Sequence, residues 1–218
     1  WLVAFPYFVS CLLRGLTRKS KGDLVNGYRV RFQTYKFKGF DIHLRTLLDR
    51  NQYSDPLGEA EALGISSAQW CLFGVVWDSS QVLAHELENF NIENKRILEV
   101  GCGIGLTSMM FNARGADITA TDYHPEAGNF LAENTKLNRA SDIPYLRADW
   151  TQSYKGLGEF DLIVGSDLLY EAQHIKQLSG FIDRHAKPAC EVVVVDPGRG
   201  QHAAFSKQMV KLGFSHEQ

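Results

Sequence analysis

The chain of 218 residues has four cysteines, Cys11, Cys71, Cys102 and Cys190, and no two of them form a C-x-x-C pair. That scatter offers no metal-ligand spacing, and the histidines do not cluster with it. Free thiols in a reducing, cytoplasmic setting and no metal site are therefore expected. Strong net charge is also missing. With 23 Lys and Arg against 25 Asp and Glu, the balance is −2, which does not point to nucleic acid. Long apolar runs are absent as well. The greasiest stretch, "WLVAFPYFVSCLL", is interrupted by Pro6 and is shorter than the roughly 20 residues that span a bilayer. It has neither a positive segment before it nor a small-residue cleavage site after it, so it does not read as an export signal. No membrane partner is expected, and nothing in the sequence bears on oligomeric state. Without an initiating Met, the start is expected to be the edge of a fragment or a stray extension. The end at "KLGFSHEQ" is expected to cut off a final strand pair.

The charge that is present is unevenly spread. Residues 1–50 carry ten Lys and Arg against three Asp and Glu, so the rest of the chain is acidic. The bland reading of Arg29, Arg31, Lys36 and Lys38 is a solvated hairpin surface. The sharper one is a docking surface for an acidic partner. "YRVRFQTYKFKGFDIHL" (28–44) alternates apolar with polar residues, the period of half-buried strands. A turn-rich connector follows, with room for one short helix, and a helical pattern begins at Trp77. From residue 96 onward short apolar runs alternate with amphipathic segments. The runs are "RILEV", "ADITATD", "IPYLRAD", "FDLIVGSD" and "EVVVVD". Such alternation predicts an α/β, Rossmann-like, doubly wound, mostly parallel sheet with an N-terminal β-hairpin extension. We divide the chain into an extension and connector at 1–70 and a core domain at 71–218. Glu99, Asp122, Asp149, Asp167 and Asp196 each stand at or just past an apolar run, where such sheets bind ligands.

"ILEVGCGIGLTS" (97–108) poses the chemical question. A dinucleotide fingerprint is G-x-G-x-x-G, but Leu106 stands where its third glycine should fall. The pattern is instead Gly101, Gly103, Gly105, preceded by Glu99. No Gly-Lys-Ser/Thr follows, which excludes a P-loop. Asp122 falls 21 residues beyond Gly101, placed to accept hydrogen bonds from both hydroxyls of a ribose. Asp149 and Trp150 offer an acid for an adenine amino group and an indole for its face. A ribose and an adenine with no phosphate clamp describe S-adenosyl-L-methionine.

"LEVGCGIG", "ATDYHPEAGNFLAENTKLN", "ADW" and "SDLLYE" resemble successive motifs of the class I S-adenosylmethionine-dependent methyltransferases. More narrowly they resemble the lysine methyltransferase family 16 group. That resemblance implies a protein N-methyltransferase acting on a lysine of a protein substrate. It also matches Trp77 to a tryptophan on the helix before the first core strand, though Asp78 stands where the family usually has Pro. Asp167 and Tyr170 match its D-x-x-Y and are the candidate catalytic pair. Trp77, Glu99, Gly101, Gly103, Gly105, Asp122, Tyr123, Asp149, Trp150 and Ser166 are the candidate cofactor-binding residues. A small-molecule N-methyltransferase and a non-catalytic cofactor-binding protein remain as alternatives. A nucleic-acid methyltransferase is disfavoured, because neither an NPPY-like motif nor a cysteine-nucleophile motif occurs. His124, beside Pro125, reads as part of a helix start rather than a base, and Cys102 as a small residue in the turn. His174, His185 and His202 read as solvated helix positions, and "PGRG" (197–200) as an ordinary turn in preference to a substrate contact at the end of the fifth strand.

Overall fold

The structure, a computed structural model, describes residues 2–3, 24–25 and 27–215. Apart from Leu2–Val3, the opening apolar stretch lies outside the described residues, as does Cys11. Two short strands, β1 (Leu2–Val3) and β2 (Leu24–Val25), precede a long hairpin of β3 (Tyr28–Phe37) and β4 (Phe40–Leu47). The connector then forms α1 (Glu59–Ala62), α2 (Ser67–Trp70) and a 3-10 turn at Cys71–Gly74, more helix than the one expected. Helix α3 (Asp78–Glu86) leads into the alternating core. Its elements are β5 (Arg96–Val100), α4 (Leu106–Ala113), β6 (Asp117–Asp122), α5 (Ala127–Leu137), β7 (Tyr145–Arg147), β8 (Phe160–Ser166), α6 (Ala172–His185), β9 (Ala186–Val195) and α7 (His202–Lys211). Every apolar run read as a strand is one.

The main sheet has the order β1-β9-β8-β5-β6-β7, and all its pairings are parallel. Successive residues of a strand face opposite sides, so each central strand feeds two cores. Ile97, Leu162, Val164, Val193 and Val195 pack with Leu83 of α3, Met109 of α4 and Phe130 of α5. Leu98, Val100, Ile163, Val192 and Val194 pack with Phe181 of α6 and Met209 of α7. Among the described residues, no helix is long and apolar enough to cross a membrane.

The hairpin belongs to the first of these cores. Tyr28, Val30, Ile42, Leu44 and Leu47 are buried in the same cluster as Met109 and Phe130, and Trp70 beside them is fully buried. A boundary at residue 70 therefore cuts through continuous packing. Arg29, Lys36 and Lys38 are exposed to solvent and Arg31 is half-buried, and Arg29 pairs with Asp49 at 3.0 Å.

Among the described residues one edge of β4 has no strand beside it, and α5 satisfies it with side chains. Asn134 accepts the Arg45 N–H at 2.7 Å and donates to the Arg45 carbonyl at 3.3 Å. One helical turn on, Asn138 accepts the His43 N–H at 2.8 Å and donates to the His43 carbonyl at 2.6 Å. A carboxamide matches a peptide group in having one acceptor and a donor, so two of them at i, i+4 imitate a partner strand and block the open edge.

Helix α4 opens at Gly105, which has no side chain to cap it. Glu99 of β5 does so instead, accepting the Ser108 N–H at 2.8 Å and the Ser108 hydroxyl. Glu99 is 2% exposed, and burial pushes its pKa up to about 7 despite the bonds from Ser108. Two tests follow from these contacts. Asn134→Ala strips partners from a buried edge and should cost about 1–3 kcal/mol, read as a lower denaturant midpoint at unchanged m-value. Because the folded pKa of Glu99 lies above its ordinary value of 4.5, this group favours folding below that value and loses its contribution as pH rises through about 7. Glu99→Gln should therefore flatten the dependence of the melting temperature on pH between 5 and 8, measured by calorimetry. An unchanged slope would show that Glu99 titrates normally.

Candidate functional site

The connections from β5 run to one side of the sheet and those from β8 to the other, which opens a crevice at their carboxyl ends. A cavity of about 700 Å³ fills it, a size suited to a nucleoside-containing ligand. Its floor is the glycine turn after β5. Gly101, Gly103 and Gly105 have φ values of +61°, +52° and +79°, in the left-handed region that favours glycine. A Cβ on Gly101 would stand 2.4 Å from Leu168 Cδ2, and one on Gly103 would stand 3.0 Å from the Phe73 carbonyl oxygen. The turn is thus bare both because of its backbone and because chain presses on it from two sides.

Asp122 closes β6 and fastens that turn. Its carboxylate accepts the Gly103 N–H at 2.7 Å on one oxygen and the His124 N–H at 2.8 Å on the other. Each oxygen keeps a second lone pair, so two further donors can be accepted from the cavity that Asp122 lines. Burial raises its pKa, and the amides partly offset that rise. Asp149, past β7, accepts the Thr151 N–H and hydroxyl through Oδ1 at 2.8 and 2.7 Å. Its Oδ2 has no hydrogen-bond partner among the described residues. Trp150 lines the cavity next to it.

Tyr123, Trp77 and Ser166 also line the cavity. The Tyr123 hydroxyl donates to the Leu63 carbonyl at 2.8 Å and so ties β6 to the connector. Trp77 is the residue before α3 in extended conformation, not a residue on the helix, and its indole N–H donates to the Leu72 carbonyl at 3.0 Å. Glu99 stands apart from the other candidate cofactor residues, which line the cavity. It does not reach the cavity, because its carboxyl is buried and engaged in holding Ser108. Asp196 is likewise engaged in a turn, accepting the Gly198 and Arg199 N–H groups. Three of the five strand-end acids, Asp122, Asp149 and Asp167, line the cavity.

Asp167 and Tyr170 of the D-x-x-Y segment both line the cavity. Asp167 has a φ of +56°, a conformation that an aspartate tolerates better than most residues. Arg199 grips it in a fork, Nε to Oδ1 at 2.7 Å and Nη2 to Oδ2 at 3.0 Å. "PGRG" is therefore a turn that delivers a guanidinium, which its reading as an ordinary turn missed. Tyr170 is half exposed, and its hydroxyl stays protonated because partial burial, followed by Asp122, Glu171 and Asp167, raises its pKa.

Two histidines were misplaced by the sequence reading. His174 is buried, donates from Nδ1 to the Leu168 carbonyl at 3.0 Å, and packs edge-on to Trp150 and Tyr170. His185 is buried with Nδ1 donating to the Gly158 carbonyl at 2.8 Å. His124 stacks on Phe73 at 3.9 Å, and burial lowers its pKa to about 3. It is a neutral wall and not a base. Burial pushes the Cys102 thiol well up, so it is no nucleophile.

The roof comes from residues that belong to no motif of the site. Arg50, Leu63, Ile65, Gln69 and Leu72 of the hairpin end and connector line the cavity. The Arg50 guanidinium lies 5.3 Å from the centre of the Trp77 ring. The one local signal for this roof was "SSAQ", which forms a capping box between Ser66 and Gln69. Among the described residues, no cluster of His, Cys, Asp and Glu could hold a metal ion.

Over residues 66–211 the chain matches the family described as lysine methyltransferase. It is 29% identical over 144 residues to the protein-lysine methyltransferase METTL21E of Bos taurus, covering 60% of this chain and 49% of that one. It is 31% identical over 102 residues to the protein N-lysine methyltransferase METTL21A of Xenopus tropicalis, covering 44% and 47%. The chain thus spans about half the length of these curated relatives. Among solved structures it resembles the ribosomal protein L11 methylase of Lactobacillus delbrueckii subsp. bulgaricus, with a TM-score of 0.55 and 22% identity over 64% of this chain and 70% of that one. This last is a likeness of fold. The bare glycine turn, the acids around it and the match over the greater part of the chain agree, and the chain belongs to the lysine methyltransferase family.

Proposed function

We propose that this chain binds S-adenosylmethionine in the cavity and transfers its methyl group to a lysine amine of a protein. The observation that carries the reading is one cavity lined by two chemically distinct sets of residues. The bare turn and Asp122 line it together with Asp167 and the half-exposed Tyr170, the first set bringing backbone and hydrogen-bond acceptors and the second a carboxylate and a phenol.

The residues present fit that cofactor. Gly101, Gly103 and Gly105 line the cavity with backbone alone, so a ligand there meets peptide groups rather than side chains. Asp122 suits the two ribose hydroxyls, Asp149 Oδ2 the adenine amino group and Trp150 the face of the base. Acids outnumber cations around the cavity, which suits a ligand carrying an ammonium and a sulfonium and disfavours a phosphorylated one. When bound, the cofactor supplies a methyl group already activated by its sulfonium.

The protein's task is then to present a neutral nitrogen in line and to keep water out. A lysine amine has a reference pKa of about 10.4 and must lose its proton before it can attack. Asp167 offers carboxylate oxygens to the N–H groups of the amine. Tyr170 offers a protonated hydroxyl and a ring along which an aliphatic stem can lie.

Incubation of the protein with cell extract and methyl-labelled cofactor should label a protein band, with the label on a lysine by mass spectrometry. Label on histidine, or only in a low-molecular-weight fraction, would replace the acceptor. Binding without transfer to any fraction would leave a cofactor-binding protein. A second test addresses cofactor binding. Asp122→Ala should weaken S-adenosylhomocysteine by about 1.5–3 kcal/mol, or roughly 10- to 150-fold, in calorimetric titration of a variant that still melts cooperatively. Equal affinities would remove Asp122 from the ribose.

A further inference from the structure

A free carboxylate at the acceptor site raises a chemical difficulty. It would stabilise the ammonium form of an incoming lysine, which is the form that cannot accept a methyl group. An opposite charge within about 4–6 Å typically shifts a pKa toward the charged form by about 1–3 units. The fold supplies an answer in a residue outside the D-x-x-Y motif.

We propose that Arg199 is a positioning residue for methyl transfer. Its guanidinium clamps the Asp167 carboxylate and cancels its charge, so that the site offers a fixed oxygen to a neutral amine rather than an anion to an ammonium. The inference rests on the lysine-acceptor reading given above and deepens it.

The geometry carries it. Both Asp167 oxygens take one bond each from Arg199, which leaves one lone pair on each for an amine N–H. The loop after β9 is built to hold the arginine in place. Asp196 Oδ1 accepts the Gly198 N–H at 2.8 Å and the Arg199 N–H at 3.0 Å. The glycines on either side of Arg199 have φ values of +89° and +84°. From below, the Asp167 N–H donates to the Val195 carbonyl at 2.9 Å, so the ends of β8 and β9 fix both partners of the fork.

The groups facing this pair are Asp196 on the same loop, Tyr170 and Glu171 past β8, His174 on α6, and Asp122 across the cavity. Tyr170 is protonated and His174 donates to a backbone carbonyl. Asp196 is engaged in its own turn, and Glu171 accepts from Gln173 at 2.6 Å. Arg199 is therefore the cation that directly opposes Asp167. Asp167 pulls its pKa further up, which keeps the guanidinium charged throughout any working range.

The test is the pH profile of kcat on the labelled protein substrate, which reports the bound amine. The wild type should rise along a limb set by loss of the amine proton. Arg199→Gln unmasks Asp167, so that limb should move up by about 1–3 pH units, with turnover near pH 7.5 falling roughly 10-fold or more. Arg199→Lys keeps the charge and loses the fork, and should move the limb less. The double variant Asp167→Asn/Arg199→Gln removes both charges and should return the limb toward its wild-type position even if its maximum is low. Titration with S-adenosylhomocysteine should give wild-type affinity for Arg199→Gln. A limb that stays in place in Arg199→Gln, or one that moves and is not returned in the double variant, overturns the inference, as does loss of cofactor affinity. A wild type that methylates no protein lysine overturns the acceptor reading itself, and the inference with it, and is recognised by its absence of a wild-type profile.

Discussion

Asp122 is the hinge of this architecture, because one carboxylate serves the fold and the cavity together. It closes β6 and holds the amide of Gly103 in the neighbouring turn and that of His124 in its own. Together with the backbone bonds from the Cys102 N–H to Thr121 and from the Gly105 N–H to Cys102, these contacts hold the three left-handed glycines over the end of β5. They also fix the place of a carboxylate that lines the cavity. Burial without such donors would drive the carboxyl toward its neutral form. The shape of the turn and the acceptor chemistry of the cavity thus involve the same residue.

The extension that precedes the core is part of the site as well. Its hairpin is held to α5 by Asn134 and Asn138 and shares a buried cluster with α4 and α5. From that base the connector crosses the cavity, with Tyr123 bound to Leu63 and Arg50 set over Trp77. One wall of the cavity therefore comes from the strand ends and the other from residues before the core. Changes in the connector can reshape the cavity and leave the glycine turn intact.

Much of this was legible because the signals were local. Apolar runs marked the strands, and G-x-G-x-G followed by Asp122 marked a turn and an acid that line the cavity. What escaped depended on partners brought together by topology. The Asp167–Arg199 fork exists because β8 and β9 are adjacent, and 32 positions separate its partners. Glu99 has the right type and place for a ligand residue, but its side chain points to the opening turn of α4. His174 sits on a polar-looking helix, yet its face packs against Trp150 and Tyr170. The roof was illegible for a different reason. Its short helices lack the periodicity that marks longer ones, and only the Ser66–Gln69 capping box announced them.

The central claim is that Asp122 and the bare turn hold the cofactor with its reactive end toward the Asp167–Tyr170 pair. The most direct measurement is a crystal structure of the protein with S-adenosylhomocysteine. The account predicts ribose hydroxyls within about 3.2 Å of the Asp122 carboxylate and the sulfur facing Asp167 and Tyr170. A ligand seated elsewhere, or one bound in the cavity with its sulfur directed away from that pair, would contradict it.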